Sequence, residues 1–162
     1  MTVSKLRLNR MSVGVFVACA LGLIAWKVAW ATPSVGLSTT ILTGPVMLGN
    51  LDLKSKSDIH DVKINTKGGS DVYIVHNRIA PGGSTGWHSH PGISFVIVKS
   101  GVVSEYHNDD PATPHVYFAG QGFTEEAGAV HNMVNEGSTD LELVAFQIIP
   151  TGAMRRVDQP QP

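Results

Sequence analysis

Gly82-Gly83-Ser84-Thr85-Gly86-Trp87-His88-Ser89-His90-Pro91-Gly92-Ile93-Ser94-Phe95-Val96-Ile97-Val98-Lys99-Ser100-Gly101 is the stretch that decides how this chain is read. Glycine and proline punctuate both ends of it, as they do at turns. Between them, Ser94–Lys99 is rich in Val, Ile and Phe and reads as a strand. His88 and His90 are one residue apart. In extended backbone successive side chains alternate between faces, so both imidazoles project to the same side.

Outward from this stretch the pattern repeats. Ser57–Thr66, Val72–Ile79, Val102–His107, Val116–Phe118, His131–Asn135 and Leu141–Ile149 are further β-like runs, bounded by Gly, Pro, Asn or Asp. Lys67-Gly68-Gly69-Ser70 and Asn108-Asp109-Asp110-Pro111 read as turns. No run has a convincing helical period, so the expectation is an all-β sandwich or barrel. Residues 32–50 read as a linker leading into a first short strand, 51–150 as the β domain, and 151–162 as a polar tail. A third histidine, His131, opens its own run. If that strand neighbours the first, three imidazoles converge inside, and neutral imidazole suits Zn, Cu, Fe and Ni.

Residues 82–101 resemble the first motif of the cupin superfamily, G-x5-H-x-H-x3-E-x6-G, with Gly82, His88, His90 and Gly101 in place. Residues 120–135 resemble the second, G-x5-P-x-G-x2-H-x3-N, with Gly120, Gly128, His131 and Asn135 in place. The resemblance implies a single cupin jelly-roll β-barrel. It also implies one divalent transition metal ion (Fe, Mn, Ni, Zn or Cu) on His88, His90 and His131. The motif glutamate is replaced by Ser94, and the motif proline by Glu126. A hydroxyl is a poor substitute for a carboxylate ligand, so the expected site is three histidines with an additional open position. Glu125 and Glu126 are the candidate replacement carboxylates. Only one of two consecutive strand residues can face inward, and Glu125 is preferred because its strand runs along the barrel mouth. His76, in the strand before the first motif, is a further weaker candidate.

Other residues carry plainer readings. Trp87 is expected to pack, and Asp109-Asp110 to form a solvated turn. Arg155-Arg156 reads as a solvated charge pair, and His60, His107 and His115 as surface or strand residues.

The whole chain has 162 residues, a net charge of −1 and one cysteine. These totals average two unlike pieces. Residues 1–31 combine basic Lys5, Arg7 and Arg10 with the apolar run 11–25 and the small residues Ala29 and Ala31. That is the pattern of a secretory signal peptide cleaved after Ala31, the alternative being an uncleaved membrane anchor helix. Either places the domain outside the cytoplasm, periplasmic or secreted, with membrane contact only if the segment is retained. Residues 32–162 keep eight cations against thirteen acids, a net charge of −5, with all seven histidines and no cysteine. An acidic chain without a basic patch argues against nucleic acid as a partner. The lack of cysteine there excludes an all-cysteine zinc site and thiol catalysis. There is no G-x-S-x-G elbow, Walker loop or dinucleotide fingerprint.

Metal chemistry on a small-molecule substrate is what remains. The resemblance puts a dioxygenase first, isomerase or lyase next, and a non-catalytic ligand- or metal-binding module as the alternative. It also implies a homodimer.

Overall fold

The computed structural model describes residues 30–162. The expected signal peptide or anchor lies almost wholly outside them. Among the described residues the chain forms ten strands and no helix. They are β1 (Val35–Lys56), β2 (Asp61–Ser84), β3 (His88–Ser89), β4 (Ile93–Ser100), β5 (Val102–His107), β6 (Asp110–Phe118), β7 (Gly122–Glu125), β8 (His131–Val134), β9 (Leu141–Pro150) and β10 (Val157–Asp158). Every pairing between them is antiparallel.

On one side β1, β2, β9, β4 and β7 lie in that order; on the other, β10, β3, β8, β5 and β6. β2 joins the two sides by pairing Ser84 with Val134 of β8. The result is a nearly closed jelly-roll barrel, all-β as expected.

Two sequence expectations about the first third need correction. Residues 32–50 are not a linker before a short strand, because β1 runs from Val35 to Lys56. Lys67–Ser70 is not a turn, because β2 continues through it to Ser84. The reason is the partner strand: β1 pairs on both sides of the glycines, with Asn50 opposite Gly69 and Asp52 opposite Asn65, and absorbs them as an irregularity in register. Beyond that point the β1–β2 ribbon leaves the barrel, and its residues are mostly exposed.

Period-two alternation sets the interior. Along β4, Ser94, Val96 and Val98 are buried while Ile93, Phe95 and Ile97 face out. Along β9, Leu141, Leu143, Ala145 and Gln147 are buried. Each inward row therefore runs from apolar to polar. Val98, Leu141 and Leu143, with Val75, Ile79, Val103 and Met133, make the apolar core. Ser94 and Gln147 stand at the other end of the same rows, and that end holds the site.

Candidate metal centre

Four buried residues from three strands and the turn after one of them meet at the polar end: His88, His90, Glu125 and His131. One ligand atom from each lies within 4.8 Å of the others. The two motifs meet because β3 pairs with β8, with His88 directly opposite His131. Their rings pack edge to face with centroids 4.4 Å apart, and His88 and His90 do so at 4.9 Å.

Each imidazole is held from behind by backbone. Nδ1 of His88 donates to the Gly86 carbonyl at 2.9 Å, Nδ1 of His90 to the Arg155 carbonyl at 2.6 Å, and Nδ1 of His131 to the Ala129 carbonyl at 3.2 Å. A carbonyl only accepts, so in each neutral ring the proton sits on Nδ1 and the lone pair on Nε2. Two of those Nε2 atoms face the carboxylate. His131 Nε2 is 3.2 Å from Glu125 Oε1, and His90 Nε2 is 3.4 Å from Oε2. Glu125 Oε1 and His131 Nε2 are buried with no hydrogen-bond partner. Buried polar atoms are rarely left so, because the cost of desolvation is not returned. Backbone-anchored imidazoles and a facing carboxylate are the outer- and inner-shell arrangement of a metal site, so the residues fit the ion that the motifs imply.

The electrostatics agree with that reading. Burial drives His88 well below the usual histidine range, and His131, Arg156 and His90 add to the effect. Burial also lowers His90, partly offset by Glu125. For Glu125 burial alone acts upward, yet nearby His131 and His90 and the Ser94 hydroxyl bring it net below the ordinary value. His131 moves the opposite way: burial lowers it, but Glu125 and Glu105 raise it above the ordinary value. The carboxylate is thus kept ionised, and two of the three imidazoles are kept neutral.

The remaining candidates fall elsewhere. Ser94 is fully buried, but it accepts a hydrogen bond from Gln147 Nε2 at 2.9 Å instead of joining the ligand group. Glu126 is exposed. His76 sits on the outside of the β2–β9 pair, 3.1 Å from Glu142. Residues 151–162, expected as a polar tail, fold back over the site: β10 pairs with β3, and Arg155 supplies the carbonyl for His90. Its guanidinium is half-buried and donates to Gln147 Oε1 at 3.1 Å. Neither Arg155 nor Gln147 was legible as a site residue, because each reaches it only through the register of β9 and the fold-back of the last segment.

Two spaces adjoin the four residues. Beside His88, His90 and Arg155 there is room of about 30 Å³, enough for about one water. On the side of Glu125 and His131 a cavity of about 400 Å³ opens, large enough for a small organic molecule. A further space, about 740 Å³, lies against Lys63, Ile64, Ile93 and Phe95 and touches none of the four residues.

Residues 75–147 match the Cupin domain family. Over 82 residues the chain is 32% identical to the beta-alanine degradation protein BauB of Pseudomonas aeruginosa, spanning 49% of this chain and 83% of that one. The chain belongs to the cupin superfamily. Among solved structures, this cupin superposes on Peruvianin-I, a cysteine peptidase from Thevetia peruviana latex, at a TM-score of 0.53 and 21% identity, covering 78% of this chain and 69% of the other. That likeness is one of fold. A cupin domain from Bordetella pertussis Tohama I matches at a TM-score of 0.48 and 20% identity, over 70% of this cupin and 93% of that chain.

Proposed function

We propose that this protein is an exported cupin that holds a divalent transition metal on His88, His90, His131 and Glu125 and acts as a dioxygenase-type oxidoreductase on a small organic substrate. The observation that carries the reading is the anchoring of all three Nδ1 atoms on backbone carbonyls, which leaves Nε2 of each ring as the available donor, two of them within 3.4 Å of one buried carboxylate. A bound ion would supply Lewis acidity and a centre at which oxygen and substrate meet. Three neutral imidazoles and one carboxylate cancel one of its two charges, so the site favours an anionic or chelating substrate. Arg155 adds a cation at the rim. The cavity beside Glu125 and His131 gives such a substrate room to approach.

The test is oxygen uptake by iron-loaded protein across small diketones, thiols, polyphenols and β-alanine, the last because the name of the Pseudomonas aeruginosa relative specifies its degradation. Turnover lost in His88→Ala supports the enzyme. Tight metal binding with no uptake on any of them favours the non-catalytic binding module.

A further inference from the structure

Glu105 and His107 repeat on β5 the one-residue spacing of His88 and His90. β5 lies beside β8, with His107 the cross-strand partner of His131. On its other edge β5 pairs with β6, with Glu105 opposite His115. Glu105, His107 and His115 therefore form a second group, with one ligand atom from each within 4.8 Å of the others.

This group has its own unmet demand. Glu105 is 1% exposed, yet its Oε1 has no hydrogen-bond partner, and neither has Nε2 of His107. His107 Nε2 stands 3.4 Å from Glu105 Oε2. The spacing matches that between His90 and Glu125, also 3.4 Å. Donors about 2.0–2.1 Å from a tetrahedral ion lie roughly 3.3–3.4 Å from one another. Spacing and unpartnered buried atoms thus agree across the two groups. The rings of His107 and His115 have centroids 5.1 Å apart, and those of His107 and His131 6.5 Å. The cavity of about 400 Å³ is lined by both groups: Glu105, His107 and His115 on one side, Glu125 and His131 on the other.

We propose that Glu105, His107 and His115 form a second divalent metal site, of the zinc-binding type, opening on the same cavity as the first. Two imidazoles and one carboxylate are three protein donors, and the cavity leaves the remaining positions to water or ligand. His115 is exposed, so ordering it costs side-chain freedom and makes this the weaker of the two sites.

The experiment titrates the metal-free, full-length protein, without a histidine tag, with Zn(II) in equilibrium dialysis and with Co(II) by absorption spectroscopy. Two equivalents per chain are expected, one tighter than the other. His115→Ala, at an exposed position, should weaken the second step at least tenfold and leave the first, and Glu105→Gln, of the same shape as the residue it replaces, should weaken the second step at least tenfold. A single equivalent that survives His115→Ala overturns the second site, as do two equivalents retained with unchanged affinity in both variants. A single equivalent that survives His88→Ala but is lost in His115→Ala upholds it and removes the four-residue site instead.

Discussion

Ser94 of β4 lies directly across the strand pair from Glu125 of β7. Ser94 occupies the place of the cupin motif glutamate, and both residues are buried. The carboxylate of this barrel has therefore moved one strand sideways on the same inner face. A serine fits opposite it because its hydroxyl stabilises the charge at Glu125 without adding a second.

The exchange should be reversible. Glu125→Ser removes a carboxylate facing two histidines, and metal affinity should fall by more than the ~10–100-fold that follows loss of an outer-shell partner. Ser94→Glu alone buries two carboxylates side by side and forces one to stay protonated, so the metal-free protein should melt lower. The double variant Ser94→Glu/Glu125→Ser should recover affinity to within about tenfold of wild type, the scale of an outer-shell change. Competition with a chromophoric chelator reads all three; a double variant as weak as Glu125→Ser would contradict the exchange.

Gly86 ties the backbone to the ligand set. Its φ is +68°, and a Cβ there would lie 2.4 Å from the Thr32 carbonyl oxygen. Its own carbonyl orients His88. Gly86→Ala should cost about 1–2 kcal/mol for the left-handed backbone alone, and more for the clash. The carbonyl must shift to relieve it, so melting temperature and metal affinity should drop together. A loss of stability with metal binding intact would show that His88 does not depend on this contact.

Several of these relationships were legible in the sequence and others were not, for physical reasons. His88 and His90 share a face because strands have period two, and His131 joins them once β3 and β8 pair. The choice between Glu125 and Glu126 depends on register, which a one-residue slip reverses, and the Ser94–Glu125 pairing puts Glu125 inside. The glycines at 68 and 69 suggested a turn because local propensity is blind to β1, whose pairing carries the strand through them. Glu105-x-His107 has the same spacing as His88-x-His90 but no flanking glycines, so nothing local separated it from an ordinary strand. The Arg155 carbonyl lies 65 residues from His90, with no local signal for their contact.

Glu136 gives a dependence on pH. Ser104 Oγ and Tyr106 Oη donate to its carboxylate at 2.6 and 2.8 Å, and these bonds hold it below the usual glutamate range. A carboxyl depressed in the folded state adds stability above its unfolded value of about 4.3, and loses it as pH falls through the folded value. Wild type should therefore exceed Glu136→Gln in urea midpoint near neutrality, and the two should converge in the acid range below about pH 4. A gap that is constant with pH would mean that the carboxylate charge is not what these hydroxyls recognise.

Gln147 connects the last segment to the site. It accepts from Arg155 Nη1 at 3.1 Å and donates to Ser94 Oγ at 2.9 Å, while Ser94 in turn faces Glu125. Its neighbours along the inward row of β9 are Ala145 and Ile149, so an apolar residue would suit the barrel better unless the amide had a polar task. Gln147→Met keeps the length and removes both bonds. Ser94 and Arg155 are then left with unmet partners, which should cost about 1–3 kcal/mol of stability. Glu125 loses the partner that fixes Ser94, so metal affinity should fall by about 10–100-fold, as for other outer-shell contacts. Ser94→Ala separates the two effects: it removes the hydroxyl facing Glu125 but leaves the Arg155–Gln147 bond, so affinity should fall with a smaller loss of stability. Equal affinity in wild type, Gln147→Met and Ser94→Ala would show that Glu125 is positioned by the histidines alone.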